Sequence, residues 1–266
     1  CHADDKDKTF HHGKMAYMAN HFDKRLDPAK LVPGARSVVS LLYNYYPGDD
    51  QAEEPAYKIA KYAYGKDYHF VVRDKLKGLL AELQKEIGEI NGRVFVDSAP
   101  VMERQWAARS GLGWLGKNTL LLNKQFGSYF FIAELVIDLE LAPDGPIKDY
   151  CGTCTRCLDA CPTAAFDGPH VLDASKCISY LTIELKEEIP SEFEGKYDQW
   201  VFGCVICQEV CPWNRFAKKH QEPAFARLEG VSEVMEAGRE EFSIETFNSL
   251  FKDSPIKRTK LSGLRR

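Results

Sequence analysis

Cys151-x2-Cys154-x2-Cys157-x3-Cys161-Pro162 and, downstream of Cys177, Cys204-x2-Cys207-x3-Cys211-Pro212 hold eight of the nine cysteines of this chain. The first run has the spacing of bacterial ferredoxins, in which three thiolates ligate one cluster and the fourth crosses to a second. The second run repeats it with its first cysteine moved upstream to Cys177, across a 26-residue insertion. By that symmetry Cys151, Cys154, Cys157 and Cys211 are expected to hold one [4Fe–4S] cluster, and Cys161, Cys177, Cys204 and Cys207 the other. A cubane needs four thiolates converging from different directions, and two intervening residues let a tight loop present successive sulfurs to one face. The proline after each fourth cysteine stops the following segment from continuing as a helix. Four-cysteine zinc sites also use C-x2-C pairs, but two nested Cys-x3-Cys-Pro endings are not a zinc habit. Disulfides fit less well, since a chain this long needs no staples and the spacing is that of ligation. Cys1 reads as bystander sequence.

Outward from the cysteines, the chain divides into a mixed α and β region over residues 1–145, a ferredoxin-like dicluster lobe over 146–222 and a helical segment with a basic tail over 223–266. The fold class expected is α+β. With 266 residues a full core can be buried. A net charge of −4 excludes a globally basic nucleic-acid binder but leaves room for local basic patches. No apolar run approaches the eighteen or so residues of a membrane helix, so no membrane partner is expected. Thiolates assembled onto iron need a reducing compartment, which points to the cytoplasm. The chain opens on Cys1-His2-Ala3 without methionine, as a fragment would.

Val38 to Tyr43 predicts a buried strand closed by Pro47-Gly48. Leu76, Leu79, Leu80, Leu83, Ile87 and Ile90 share one face of a helix within 66–90. Asn91-Gly92 turns the chain into the short strand Arg93 to Asp97, and a helix follows from Val101 to Ser110. Asp97, at the strand's end, reads either as a cap or as an acid projecting into a cleft. Gly111-x-Gly113-x-x-Gly116 matches a dinucleotide fingerprint in letters only, with no strand directly before it and no acidic residue at the required distance. It is expected to be a tight, ligand-lining loop. Two strands around a glycine turn are expected over Leu120–Asn123 and Tyr129–Asp138. Asp173 is expected to cap a helix carrying Cys177, and 186–198 to form an exposed, charged excursion. A weakly amphipathic helical region covers Gly230–Phe251, and from Lys252 onward six basic residues face one acidic, as in a solvated tail or a phosphate-binding one. His11, His12 and His21 show no ligand spacing and read as surface.

Val96-Asp97-Ser98-Ala99-Pro100, Arg109 to Asn118, Phe126-Gly127-Ser128-Tyr129, the eight cysteines and Cys177-Ile178-Ser179-Tyr180-Leu181-Thr182 together resemble the epoxyqueuosine reductases, which complete queuosine synthesis on tRNA. The likeness runs from about Arg25 to the basic tail. It implies a cobalamin-binding α+β domain fed with electrons by the dicluster lobe, which is itself charged by an external low-potential donor. It also implies attack by the reduced cofactor on an epoxide carbon, with Asp97 as proton donor, its carboxyl kept protonated by burial. Asp97, Arg25, Lys117, Asn118, Ser179 and Thr182 fall where cobalamin contacts lie in the family. Lys186, Lys257, Arg258 and Lys260 are the matching candidates for tRNA contacts, with Arg265-Arg266. The Asp-x-His-x-x-Gly cobalamin signature begins at Asp67-Tyr68-His69 but has Val72 in place of glycine, so no histidine is expected below cobalt. Ala60 stands where some relatives have cysteine. Family members often begin with a further helical segment and continue into helical repeats, and neither is seen here. A monomer is the default for an enzyme that admits a tRNA. The competing readings are a cobalamin-dependent reductive dehalogenase, a plain dicluster electron carrier, and a tRNA-binding protein stapled by clusters.

Overall fold

The computed structural model of the chain describes residues 11–48, 56–197, 199–237 and 242–266. Cys1 lies outside them, as does the stretch 238–241 of the C-terminal helical region. The centre of the first region is a three-stranded antiparallel sheet. Its elements in chain order are β1 (Ser37–Asn44), helix α1 (Tyr68–Ile87), β2 (Gly92–Phe95), helix α2 (Glu103–Arg109) and β3 (Phe130–Ile137). The strand order is β1-β3-β2, with Ser40, Glu134 and Phe95 in register across it. β3 is buried along nearly its whole length. Alternate side chains of β3 serve the two faces, as the strand period requires. Phe131, Ala133, Leu135 and Ile137 meet Val72, Leu76, Leu80 and Leu83 of α1. Phe130, Ile132 and Val136 meet Val101, Trp106 and Ala107 around α2.

Asp67 starts α1 by accepting the His69 N–H, and Gly88, at φ 107°, stops it. Its apolar face is narrower than the spacing predicts. Val72 and Leu76 are buried, but Leu79 and Ile87 are exposed. The glycine-turn strands also differ from expectation. Leu121–Leu122 pairs with Trp114–Leu115, and only the bridge between Asn123 and Gly127 ties the turn to the start of β3.

The cysteine lobe is made of short turns of helix, Arg156–Asp159 and Ile206–Glu209, each followed by a cysteine and proline. Helix α3 (Ile178–Ile183) follows Cys177 directly, so that residue is the N-cap rather than a member of the helix that Asp173 begins. The strand Trp200–Phe202 runs parallel to Lys58–Ile59 and joins the lobe to the first region.

Helices α4 (Glu229–Ala237), α5 (Ile244–Leu250) and α6 (Lys260–Leu264) complete the chain. Val231, Val234, Phe247, Phe251, Ile256 and Leu264 share one core with Ile59, Ile183, Val201 and Phe202. The basic tail is therefore docked through its apolar residues, while Lys252, Lys257, Arg258, Lys260 and Arg265 stay exposed. Its apolar residues alternate with the charges, and Thr259 Oγ1 donates to the Thr182 carbonyl of α3 (3.0 Å). Leu264 is wholly buried. Leu264→Ala is expected to lower the unfolding free energy by about 2–5 kcal/mol in urea titrations, whereas Lys257→Ala, on the exposed side of the same tail, changes it by less than about 0.5 kcal/mol.

Candidate functional site

The cysteines sort into two cavities. Cys151, Cys154, Cys157 and Cys211 line one, with Lys117, Trp213 and Arg215 around them. Cys161, Cys177, Cys204 and Cys207 line another, a cavity of about 340 Å³. None of the eight is in a disulfide. Among the described residues no His, Cys, Asp or Glu side chains converge tightly enough to hold a single metal ion. The sulfurs instead surround spaces. Trp114 Nε1–H points at Cys151 Sγ (3.4 Å) and the Ala165 N–H at Cys161 Sγ (3.3 Å), as donors to sulfur do. Burial raises the Cys204 thiol to about 12 and pushes Cys177 and Cys207 up as well. These sulfurs become thiolates when a cation takes the proton's place.

The larger cavity reaches from the second cysteine group to the sheet region. Leu120, Leu121, Phe130 and Ile132 form one wall, and Ile178, Val205 and Ile206 the other. Tyr45, Tyr62, Arg104, Asn118, Ser128, Ser179 and Gln208 supply polar atoms, and no histidine is among its lining. Asn118 and Ser179 are thus brought together. Lys117 is not with them, because its ammonium donates to the carbonyls of Gly152 (2.7 Å) and Cys154 (3.0 Å) in the loop of the first group. Thr182 is buried away from the cavity, donating to the Ile178 carbonyl and accepting from the Gly203 N–H. Arg25 is bonded to the Asn20 and Tyr17 carbonyls and also stands outside it. Of the basic candidates, the charges of Arg258 and Lys260 bear on Lys186, as does that of Arg266, so these gather into one cluster. Arg258 pairs with Glu184 (2.7 Å).

Asp97 sits in the turn after β2, at φ 54°. Its Oδ2 accepts from the Tyr68 hydroxyl (2.6 Å) and from His69 Nε2 (3.2 Å), while His69 Nδ1 is 2.7 Å from Asp67 Oδ1. Tyr68 lies between the rings of Phe131 and His69 and meets Tyr62 edge-on, at 6.1 Å. Tyr62 lines the cavity but Asp97 does not, so the carboxyl, expected among the cofactor contacts, stands behind the lining with the Tyr68 ring between.

The electrostatics reverse one expectation. Burial acts to raise the Asp97 carboxyl, but hydrogen bonds from His69 and Tyr68, with the positive charges of His69 and Arg258, outweigh it. The group therefore lies below its ordinary range and is ionised at neutral pH, not protonated. Burial likewise acts to lower His69, but its bonds to Asp67 and Asp97 carry it up to about 9. The proton resides on the imidazole. The Tyr68 hydroxyl is raised, chiefly by burial and then by the Asp97 charge, and stays a donor.

Sequence reasoning passed over Tyr68 and His69 because they fell in an incomplete signature. It also passed over Glu103 and Glu134. The legible signal for Glu134 was a single carboxylate inside the otherwise apolar strand Phe130–Ile137.

Residues 25–98 match the family described as "Epoxyqueuosine reductase QueG, DUF1730" and residues 150–214 that described as "4Fe-4S double cluster binding domain". The chain is 65% identical over 258 residues to the epoxyqueuosine reductase of Cyclobacterium marinum, covering 96% of this chain and 82% of that one. It is 62% identical over 256 residues to that of Leadbetterella byssophila, with 96% and 83% covered. Among solved structures it is similar to an epoxyqueuosine reductase crystallised with a tRNA-Tyr epoxyqueuosine-modified tRNA stem loop, at a TM-score of 0.81 and 32% identity. That match covers 91% of this chain, which spans 66% of the solved one.

The His69 pair makes stability depend on pH in a defined sense. The imidazole's folded value, about 9, lies above its ordinary 6.5, so its stabilisation is full below 6.5 and disappears as pH rises through about 9. The stability difference between the parent chain and His69→Gln, measured by chemical unfolding, is expected to be largest near neutral pH and to close through that alkaline window. It also shrinks in acid, as Asp97 takes up a proton.

Proposed function

The chain belongs to the epoxyqueuosine reductase family, and from that membership and the site geometry we propose that it reduces epoxyqueuosine to queuosine in tRNA, the last step of queuosine synthesis. The observation that carries this is the cavity joining the second cysteine group to the Tyr62–Tyr68–Asp97 array. It has the second cysteine group on one side and Tyr62 on another, and the Tyr68–Asp97 pair stands behind Tyr62.

The reaction removes the epoxide oxygen as water and consumes two electrons and two protons. We assign Cys151, Cys154, Cys157 and Cys211 to one [4Fe–4S] cluster and Cys161, Cys177, Cys204 and Cys207 to the other, which the two cavity linings support. An external low-potential donor charges the clusters, and low-potential clusters suit a demanding reduction. Where this space is not taken by the second cluster, its apolar walls would meet one face of the flat cobalamin macrocycle, and Asn118, Ser128, Ser179 and Gln208 would offer polar atoms to its amide rim. When bound, cobalamin supplies a strongly nucleophilic reduced cobalt for opening the epoxide.

The chain's own task is the proton. Asp97 is held as a carboxylate by Tyr68 and His69, with its reservoir one hydrogen bond away on His69. As negative charge develops on the epoxide oxygen, His69 passes its proton to Asp97, and Asp97 delivers it. Asp67 retains the imidazole ring after the proton leaves. Lys186, Arg258 and Lys260, with Lys257 on the same tail, are assigned to the tRNA backbone, where a fixed basic cluster neutralises phosphate charge. No described helix is long and apolar enough to cross a membrane. We read the enzyme as a cytoplasmic monomer.

The test is an anaerobic turnover with clusters reconstituted, cobalamin, a strong reductant and tRNA carrying epoxyqueuosine, followed by digestion and nucleoside mass analysis. Loss of one oxygen, dependent on cobalamin, is expected. Asp97→Asn is expected to abolish it, and His69→Gln to slow it by about 10²–10⁴-fold. Retention of the oxygen by the parent chain, with clusters and cobalamin both bound, overturns the reading. Lys260→Ala is expected to weaken tRNA binding and to reduce its salt dependence by about one phosphate contact.

A further inference from the structure

Glu134 lies in the middle of β3, wholly buried, opposite Ser40 on β1 and Phe95 on β2. No donor group reaches either of its carboxyl oxygens, and the buried Ser40 Oγ has no partner either. A charged group in such a place costs several kcal/mol unless it is neutral or paired. The titratable group it faces is the Glu103 carboxyl, at the start of α2. Glu103 in turn faces Asp97 and Arg104, and the Arg104 guanidinium is directed to the Thr119 carbonyl (2.6 Å).

Two facing carboxyls in a buried setting do not both ionise. Burial and the Glu103 carboxyl both raise Glu134, whereas on Glu103 the Asp97 N–H, the Arg104 charge and the Glu134 hydrogen bond act against burial and the Asp97 charge, so Glu134 is the site of the proton. Glu103 is also committed elsewhere. Its Oε1 accepts the backbone N–H of Asp97. That N–H belongs to a three-residue turn closed by the Ser98 N–H on the Val96 carbonyl (2.6 Å), with Asp97 at φ 54°. A non-glycine residue at the centre of such a turn is strained, and the conformation persists only where its surroundings over-determine it.

We propose that Glu103 and Glu134 share one proton and act as a positioning pair that holds the Asp97 turn in this strained conformation. The proton on Glu134 lets its O–H donate to Glu103, which fixes the Glu103 carboxylate so that its other side receives the Asp97 N–H. Without that acceptor the turn relaxes, and the Asp97 carboxylate leaves the Tyr68 hydroxyl and His69. The consequence for catalysis rests on the proton-donor reading given above. The pair itself does not.

The experiment uses the full chain with its clusters reconstituted. Amide exchange over residues 96–101 is followed by mass spectrometry, and the protonated-carboxyl C=O stretch by infrared spectroscopy at neutral pH. In Glu103→Ala the Asp97 amide is expected to exchange about tenfold faster, the size set by one net hydrogen bond. Glu103→Gln keeps an oxygen acceptor and is expected to restore the protection. Glu134→Gln, near in shape and still a donor, is expected to keep the protection and to lose the infrared band. In turnover, Glu103→Ala is expected to lower kcat with KM for tRNA unchanged, and Glu103→Gln to recover it. Unchanged exchange in Glu103→Ala, or the absence of the band from the parent chain, overturns the proposal. If the parent chain fails to remove oxygen, the functional reading falls, while the exchange and infrared results still decide the pair.

Discussion

The distance between the cysteine lobe and the sheet region is set by buried amides that bridge them. Gln208, between Cys207 and Cys211, donates from Nε2 to the Ser128 carbonyl (2.9 Å), the Ser128 hydroxyl (3.1 Å) and the Tyr45 hydroxyl (3.1 Å). Asn214 receives the Ser128 N–H (2.7 Å), and Asn118 donates to the Cys207 carbonyl (3.1 Å). An apolar contact of the same area could slide. These bonds cannot, because each donor left unpaired in that interior costs about 1–3 kcal/mol. Gly127, at φ 69°, is part of the same constraint, since a Cβ there would stand 2.1 Å from Asn214 Oδ1. The cavity between the two bodies has its width from this network. Everything that acts across it inherits that fixed spacing.

Behind Tyr62, charge is arranged so that a half-exposed carboxylate stays ionised next to a proton. Asp97 has 52% of its side chain exposed, yet burial of its neighbours gives the His69 and Tyr68 bonds more weight than they have in water. His69 is clamped at both nitrogens, and Asp67 performs two tasks at once, capping α1 through the His69 N–H and holding the imidazole Nδ1. Helix start and proton store are therefore one structure. A change at Asp67 cannot affect only one of them.

Much of this was legible in the sequence, and the failures share a cause. Cysteine spacing is a local signal with a global consequence, and it foretold the two groups that line separate cavities. β1, β2, α1 and α2 followed from period and turn residues to within three residues at their ends. What sequence could not show was which polar groups would be spent on structure. Lys117 and Thr182 carry the chemistry expected of ligand contacts, but one is consumed by the Gly152 and Cys154 carbonyls and the other by Ile178 and Gly203. The protonation of Asp97 was misjudged for the same reason. Its state depends on partners twenty-eight and more residues away in the chain, and burial alone would have given the opposite sign.

The tail shows what the three-dimensional frame adds to a charge run. Six basic residues in the last fifteen would be a solvated, mobile segment if their apolar neighbours had no core to join. Ile256, Leu261 and Leu264 do have one, and Arg266 bonds the Leu181 and Glu187 carbonyls on the far side of α3. Lys186 is fastened to the Ile183 carbonyl in the same neighbourhood. The 26-residue insertion that separates Cys177 from Cys204 thus contributes α3 and Lys186 to the seat on which the tail docks. A basic cluster ordered in advance binds phosphate without the conformational cost that a free tail incurs. Its charge also reaches inward, where Arg258 helps to keep Asp97 ionised.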